Sequence, residues 1–314
     1  MPLHPTGSPL PAVSPSICVS STAVCRTSYS AYKFRAEIDW IELKLEFISP
    51  TNFDTVRKRL GTPFAEPLDE GVGHAATIFN VKFHSPQSWD HLELTLIPLI
   101  HDHELRRAPE VTGIEVALDA YSKATNRDEL VDMVCRFYRG AQKLVSTNRR
   151  LYRTKKDPVY GITDLRNLRK HVADGFNINV GSRDDGDSET QHGYVKDTDG
   201  TGKDVLPPNE HRARFEFTLR GAALPYSSLS AWERHKFTEQ ANFFKFRQLK
   251  PTTNPFTAAA FSNSAQIGER LPLKTGGRGR RVFSKATEAD IALNQLSYDA
   301  LKELTRRMRA AAKS

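Results

Sequence analysis

The sequence predicts an α+β fold, in which a large, mostly antiparallel sheet carries helices on one face and leaves a polar, ligand-facing opposite face. Several segments alternate apolar and polar residues, and a strand directs successive side chains to opposite faces. In segment 212–220, for example, Phe215, Phe217 and Leu219 share one face, whereas charged and hydroxyl side chains share the other. Between such segments lie stretches with helical spacing and helix-capping residues.

The first half of the chain is predicted to contain three strands, at 38–47, 77–84 and 111–121. Helix-capping residues follow each strand and predict three helices. The first runs from Thr51-Asn52 to Leu60 before Gly61, the second begins at Ser85-Pro86, and the third runs from Asn126, with Glu129 as its capping partner, to about Val145.

The second half is predicted to contain strands at about 176–183, 192–196 and 212–220. Ser230, with Glu233 three residues later, has the spacing that caps a helix, which is expected to run to about Phe246.

Composition divides the chain into four parts. Residues 1–34 contain no Asp or Glu and are rich in Pro and Ser, which predicts a disordered tail. Residues 35–250 form the predicted folded domain, with halves at about 35–148 and 157–250. A flexible basic linker at 251–286 and an amphipathic basic helix at 287–314 complete the prediction.

The net charge of +8 and the pI near 9.3 favour an anionic partner, with nucleic acid ahead of a membrane. The three cysteines, Cys18, Cys25 and Cys135, fit neither a disulfide framework nor a metal-ligand spacing. No apolar run approaches the roughly 20 residues that span a bilayer, and the N-terminus lacks the pattern of a secretory signal. We therefore expect a cytoplasmic protein.

The polar face of the predicted sheet carries residue types suited to phosphodiester chemistry. Carboxylate oxygens suit Mg²⁺ or Mn²⁺, and the candidates for metal ligands are Glu115, Asp119 and Glu216. Tyr194 is the candidate nucleophile, and Lys196 on the same face is placed to lower the pKa of its phenol or to stabilise a phosphate. His192 is a candidate ligand or base.

Each assignment also has a purely structural interpretation. Tyr194 fits an ordinary strand position, Glu216 fits a partner for its flanking arginines, and the other two carboxylates fit solvent-facing positions. His101-Asp102-His103 is a weaker metal candidate, because its middle residue is Asp and it ends an apparent helix. The acidic run at 184–187 fits a hairpin turn better than a calcium loop.

Basic side chains in the second half are candidates for contacts with DNA phosphates. A run at 149–156 supplies five of them, although a solvated charged segment fits the same composition. The full set is Arg149, Arg150, Arg153, Lys155, Lys156, Arg183, Arg212, Arg214 and Arg220.

Five short segments occur in an order that resembles the replication initiation factor family of rolling-circle plasmids and filamentous phages. They are Ile-Asp-Trp-Ile at 38–41, Gly-Ile-Glu-Val-Ala-Leu-Asp at 113–119, Val-Gly-Ser-Arg at 180–183, Gly-Tyr-Val-Lys at 193–196 and Arg-Phe-Glu-Phe-Thr-Leu at 214–219. The resemblance covers about residues 36–250.

This resemblance implies a DNA strand transferase, in which a tyrosine nicks one strand at an origin, stays linked to the 5′ phosphate and later rejoins the ends. It favours Tyr194, beside Lys196, as the nucleophile, and the three carboxylates named above as the ligands. Relatives often have Asp at the position of Glu115 and an arginine shortly before the tyrosine. This chain has His192-Gly193 before Tyr194 instead, so Tyr121 and Tyr160 remain alternative nucleophiles. The implied partners are a single-stranded or cruciform origin, a host helicase and a second copy of the chain.

Two other functions fit the same sequence. A module that binds DNA or RNA without cutting it would use the polar sheet face and the basic segments, although such platforms usually display stacking aromatics. A structural or partner-binding protein would bind DNA weakly, without sequence preference and with strong dependence on salt.

Overall fold

A computed structural model describes residues 28–61, 64–69, 74–154, 156–182, 186–199, 204–268 and 286–311. Within these ranges, the predicted α+β class is confirmed by a nine-stranded antiparallel sheet in the order β2-β3-β1-β4-β9-β8-β7-β5-β6. The strands are β1 (Tyr32–Asn52), β2 (Ala65–Pro67), β3 (Ala75–His84), β4 (Glu110–Ser122), β5 (Arg149–Tyr152), β6 (Tyr160–Gly161), β7 (Asn177–Val180), β8 (Glu189–Lys196) and β9 (Arg212–Arg220).

Seven α-helices and a small second sheet complete the described part. The helices are α1 (Phe53–Leu60), α2 (Trp89–Asp102), α3 (Arg127–Gly140), α4 (Leu165–Ala173), α5 (Leu229–Arg234), α6 (Pro255–Ser262) and α7 (Ile291–Met308). Strands β10 (Arg247–Leu249) and β11 (Thr287–Ala289) pair with each other.

The apolar face of the large sheet forms the core. Side chains of β1, β3, β4 and β9 pack there against buried residues of α2, α3, α7 and the 3₁₀ segment Phe237–Phe244. The opposite face carries most of the charged strand residues. Because β4 pairs with β9, the two predicted halves share one continuous sheet.

Capping residues set several helix boundaries as the sequence predicts. The Asn52 side chain accepts a hydrogen bond from the Asp54 N–H at 2.8 Å, and Gly61 ends α1 with a left-handed φ of 62°. Asn126 caps α3 in the same way. Helix α3 nevertheless ends at Gly140, short of Val145, because the next residues pair with residues 245 and 246.

Two predicted helix starts are wrong. Helix α2 begins after Ser88, whose Oγ accepts from the His91 N–H, rather than at Ser85. Helix α5 begins after Ser228 rather than Ser230 and ends at Arg234. The following 3₁₀ segment starts where the Phe237 N–H donates to Thr305 Oγ1, a tertiary contact that no local pattern reveals.

The predicted domain boundaries also need correction. The ordered body includes Tyr29, which is buried, so the structured region begins inside the predicted tail of residues 1–34. Helix α6 lies inside the predicted linker at 251–286, of which 269–285 fall outside the described residues. The final helix begins at Ile291, after the Asp290 N-cap, because the preceding residues pair as β11. No helix in the described ranges is long and apolar enough to cross a membrane.

Candidate active site

Strands β4, β9 and β8 bring acidic and imidazole side chains together on the polar face. Glu216 of β9 pairs with His192 of β8 and with Ala117 of β4. Glu115 lies two residues before Ala117 and pairs with Thr218. Directly paired residues of antiparallel strands share a face, so these side chains converge as their alternation in sequence predicts.

Glu115, His192 and Glu216 form a group with the geometry of a metal site. Each offers one ligand atom, and the three atoms lie within 4.8 Å of one another. The carboxylates are buried, whereas 33% of the His192 side chain is exposed. His192 Nδ1 lies 3.8 Å from Glu216 Oε2, and Thr218 Oγ1 donates to Glu115 Oε2 at 2.5 Å. The metal group is therefore open to solvent on the side of His192.

Glu115 and Glu216 have opposite pKa shifts. Burial, and then the charge of Glu216, raises the pKa of Glu115 well above its usual value despite the hydrogen bond from Thr218. Burial also raises the pKa of Glu216, but the neighbouring His192 and the charge of Arg214 outweigh this effect and leave the pKa below its usual value. Glu216 is thus the more acidic member of the pair, and Glu115 keeps its proton to higher pH than an ordinary carboxyl group.

The Tyr194 hydroxyl donates a hydrogen bond to Glu216 Oε1 at 2.8 Å. Burial, followed by the negative charge of Glu216, raises the pKa of Tyr194 well above its usual value. On balance the pKa of this phenol is therefore raised rather than lowered. The Lys196 Nζ lies 3.2 Å from Asp39 Oδ1 and is paired with that carboxylate.

Asp119 is removed from the predicted ligand set because both of its oxygens are held by Arg214. Arg214 Nε and one terminal nitrogen donate to the two oxygens, each at 2.7 Å. The same guanidinium also binds Asp39 and Glu37. Arg214 has no exposed surface, so its predicted contact with DNA is also wrong.

The remaining two arginines of β9 are paired as well. Arg212 Nε lies 3.3 Å from Asp119 Oδ2. Arg220 donates to Glu42, and its guanidinium lies 4.5 Å from the centre of the Trp40 ring. These ion pairs reduce the availability of both arginines to a phosphate.

The Trp40 ring also contacts the side chain of Lys82. The Lys82 Nζ lies 4.2 Å from the centre of the Trp40 ring and 3.4 Å from Glu42 Oε1. With Arg220 also over the ring, two cations lie against the aromatic side chain that the sequence offers for base stacking.

The basic residues of the run at 149–156 lie in different environments. Arg149 donates to the Ser146 carbonyl oxygen at 3.3 Å, and Arg153 binds Asp157. Arg150 lies on the polar sheet face, opposite Asn179. Lys156 is exposed. Lys155 and Arg183 lie outside the described residues.

The alternative nucleophiles lie apart from the carboxylates of the metal group. The Tyr121 ring lies 5.6 Å from the Arg212 guanidinium, and burial, then the charge of Asp119, raises its pKa to about 12. Tyr160 packs at the β6 edge against His171, with ring centres 4.5 Å apart.

The other metal candidates also fall outside the group. Asp187 Oδ2 accepts from the Ser182 N–H at 2.9 Å, which fits the predicted turn, whereas Asp184 and Asp185 lie outside the described residues. His101 and His103 do not belong to the metal group found among the described residues.

Three residues of the polar network were missed by sequence reasoning. Thr218 follows Glu216 by two residues, so strict alternation contains the signal for it. Glu37 lies before the predicted strand at 38–47, whereas β1 begins at Tyr32. Asp39 is harder to recognise, because the register of β1 against β4 shifts between Ile38 and Trp40. This β-bulge places Asp39 among the polar groups and interrupts the alternation of apolar and polar residues.

No protein-family model and no curated protein matches this chain.

Proposed function

We propose that the chain is a metal-dependent DNA strand-nicking and strand-rejoining enzyme that initiates rolling-circle replication, with Tyr194 as its nucleophile. The observation that carries this proposal is the hydrogen bond from the Tyr194 hydroxyl to Glu216, a member of the candidate metal group. A nucleophile, an acceptor for its proton and ligands for a cation thus share one site.

The charges around the group favour a bound cation. Within the described part of the face, Arg212 and Arg214 are paired with Asp119, and Lys196 is paired with Asp39. Lys82 and Arg220 are paired with Glu42. Each of these basic side chains thus has a carboxylate partner outside the metal group, although the charge of Arg214 still acts on Glu216.

The donor set fits a divalent metal ion. Two carboxylates suit Mg²⁺ or Mn²⁺, and the imidazole favours Mn²⁺ of these two ions. Glu115, Glu216 and His192 would hold the ion. When bound, the ion would offset negative charge on a non-bridging oxygen of the scissile phosphate.

The raised pKa of Tyr194 defines the role of its neighbour. The phenol remains protonated until it reacts, so its proton needs an acceptor within reach. The ionised Glu216 lies 2.8 Å away and accepts this proton. The Tyr194 oxygen forms a bond to phosphorus, the bond from phosphorus to the 3′ oxygen breaks, and that oxygen leaves with one proton. Rejoining reverses these steps.

The non-catalytic binding module fits the structure less well. Such a platform uses exposed aromatic faces for base stacking. Trp40 contacts Lys82 and Arg220, while the Tyr194 hydroxyl faces a buried carboxylate. These contacts favour phosphate chemistry over base stacking.

The test uses labelled single-stranded oligonucleotides tiled across the DNA element that encodes the chain. Each is incubated with Mn²⁺, Mg²⁺ or EDTA, and a covalent adduct is detected on a denaturing gel. We expect a metal-dependent adduct whose labelled peptide contains Tyr194. The adduct should be absent from Tyr194→Phe, strongly reduced in Glu216→Gln, and retained in the matched control Tyr160→Phe.

Two results would contradict the proposal. An adduct that persists in Tyr194→Phe and disappears in Tyr121→Phe or Tyr160→Phe would assign the nucleophile elsewhere. Reversible binding to the tiled DNA without an adduct under any metal condition would favour the binding module. Circular dichroism of each variant separates loss of chemistry from loss of folding.

A further inference from the structure

A row of side chains crosses the polar face from the candidate active site to the edge of the sheet. The pairings are Glu216 with His192, His192 with Asn179, Asn179 with Arg150, and Arg150 with Gly161. Each pair is directly opposed across antiparallel strands, so all five positions share the polar face. With strands about 4.8 Å apart, Arg150 lies roughly 10 Å from His192 at the level of the backbone.

Resting on the proposed function, we infer that this row binds the sugar-phosphate backbone of single-stranded DNA beside the scissile phosphate. The strand then passes from the metal group over β8, β7 and β5 and leaves the sheet at β6. The row between Gly161 and Glu216 consists of Arg150, Asn179 and His192, which offer hydrogen-bond donors and contain no carboxylate.

Arg150 differs from the other arginines predicted to contact DNA from this face. Arg212, Arg214 and Arg220 are paired with carboxylates. The Arg150 side chain is partly exposed and has no hydrogen bond or ion pair with any described residue. Its guanidinium is available to a phosphate without the loss of an existing ion pair.

The outer end of the row is open. A methyl group placed on Gly161 would have no atom within 4 Å, so the position opposite Arg150 has free space above it. Asn179 and His192 are both partly exposed. Asn179 donates one amide hydrogen to the Asn177 carbonyl oxygen at 3.2 Å and retains a second amide hydrogen for a phosphate oxygen.

The space at Gly161 permits a test that adds charge without crowding the fold. Gly161→Glu places a carboxylate beside Arg150, and Gly161→Gln is its neutral match in size. Arg150→Ala removes the cation, and Lys156→Ala removes an exposed cation of the same basic run that lies outside the strands. Binding of fluorescein-labelled dT20 is followed by anisotropy without metal between 50 and 200 mM NaCl.

We expect Arg150→Ala and Gly161→Glu each to weaken dT20 binding about 5- to 10-fold. Loss of one phosphate contact should also reduce the slope of log affinity against log salt by about 0.7 for single-stranded DNA. Gly161→Gln and Lys156→Ala should remain within about twofold of wild type. Melting curves of the four variants establish that each is folded.

The inference is overturned if Arg150→Ala behaves like Lys156→Ala, if Gly161→Glu behaves like Gly161→Gln, or if the wild-type chain fails to bind dT20 at 50 mM NaCl. Because no metal or covalent step enters the assay, its result is separate from that of the nicking test. Arg150-dependent binding without any adduct supports the row and refutes the nicking proposal. A tyrosine-linked adduct with Arg150-independent binding does the reverse.

Discussion

Arg214 holds Asp119 through two hydrogen bonds of 2.7 Å, and neither residue has exposed surface. This bidentate pair lies beside the candidate active site, since Arg214 pairs with Tyr194 across β8 and β9. Its geometry explains how a sheet face can bury full charges, because each oxygen of the carboxylate receives a donor. Asp119 is therefore a structural residue beside the site.

Asp119→Asn should destabilise the fold, because it leaves a buried guanidinium with less compensating charge. Removal of one partner of a buried ion pair costs about 3–5 kcal/mol, and the other carboxylates bound to Arg214 place the expected loss near the lower end. Urea unfolding followed by tryptophan fluorescence measures the change. Asp157→Asn, which removes the partly exposed partner of the exposed Arg153, should remain close to wild type.

Mn²⁺ affinity provides the second readout for the same variant. Asp119→Asn should retain Mn²⁺ binding when folded, whereas Glu115→Gln should weaken it by at least tenfold. Stable folding of Asp119→Asn together with loss of Mn²⁺ binding would instead make Asp119 a ligand.

Metal binding should release a proton from Glu115. Burial and the charge of Glu216 raise the pKa of Glu115, so the metal-free residue is protonated where an ordinary carboxyl is ionised. Mn²⁺ affinity should therefore rise with pH until the raised pKa is passed, by up to about tenfold per pH unit for one proton. Calorimetry in two buffers of different ionisation enthalpy measures the number of protons released. Equal heats in both buffers would show that no proton is displaced.

The same shift predicts the stability of the metal-free chain. A raised carboxyl pKa means that the folded state binds more protons than the unfolded state between the ordinary value of 4.5 and the raised value. The stabilising contribution is complete below 4.5 and is lost as pH rises through the folded pKa. Glu115→Gln should reduce this pH dependence in melting experiments with EDTA, while a similar curve for both proteins would contradict the assignment.

The sequence predicts which candidate site residues share a face better than it predicts the ion pairs that support them. Alternation places Glu115, Tyr194 and Glu216 on one face, because their strands are regular across this region. Alternation also places Asp119 on this face and cannot show that Asp119 is an ion-pair partner rather than a metal ligand. That role depends on Arg214, which lies on another strand. The bulge at Asp39 has a similar origin, because it depends on pairing between β1 and β4 rather than on local preference.

Long-range contacts also explain why the predicted boundary of the folded domain at residue 35 is wrong although the predicted bounds of β9 are correct. A strand pattern predicts β9 with its observed bounds, since every alternate residue contributes to the core. The composition of residues 1–34 predicts disorder, but it cannot reveal that Tyr29 contacts Asp290 far along the chain. Such contacts override local composition.

His235 should make stability fall under mildly acidic conditions. Its ring is buried beside Trp232 and Phe237, and neither ring nitrogen has a hydrogen-bond partner among the described residues. Burial lowers its pKa below 6.5, and the charge of Arg309 adds to this effect, although Glu239, with Oε2 3.6 Å from Nδ1, and the neighbouring Gln240 oppose the shift. The unfolded chain therefore binds the proton first as pH falls through 6.5, and stability decreases until the folded pKa is reached.

His235→Phe should remove this contribution while preserving the aromatic packing. Melting temperatures between pH 5 and pH 8 should then depend less on pH than those of wild type. His101→Gln, at an exposed position, should retain the wild-type slope. An unchanged slope in His235→Phe would assign the acid sensitivity to other groups.

Asp290 should contribute strongly to stability, because it joins Tyr29, which precedes β1, to α3 and α7. Its Oδ2 accepts from the Tyr29 hydroxyl at 2.5 Å and from Arg136 at 2.7 Å, while Oδ1 caps α7 through the Leu293 N–H at 3.2 Å. Asp290→Ala removes the cap and leaves two donors with fewer partners, so we expect a loss of about 2–4 kcal/mol. Tyr29→Phe removes only the hydroxyl contacts and should cost about 1 kcal/mol, whereas Tyr298→Phe on the exposed part of α7 should be close to neutral. Urea unfolding of the three variants measures this order, and equal effects of Tyr29→Phe and Tyr298→Phe would show that the buried hydroxyl contributes nothing to the connection.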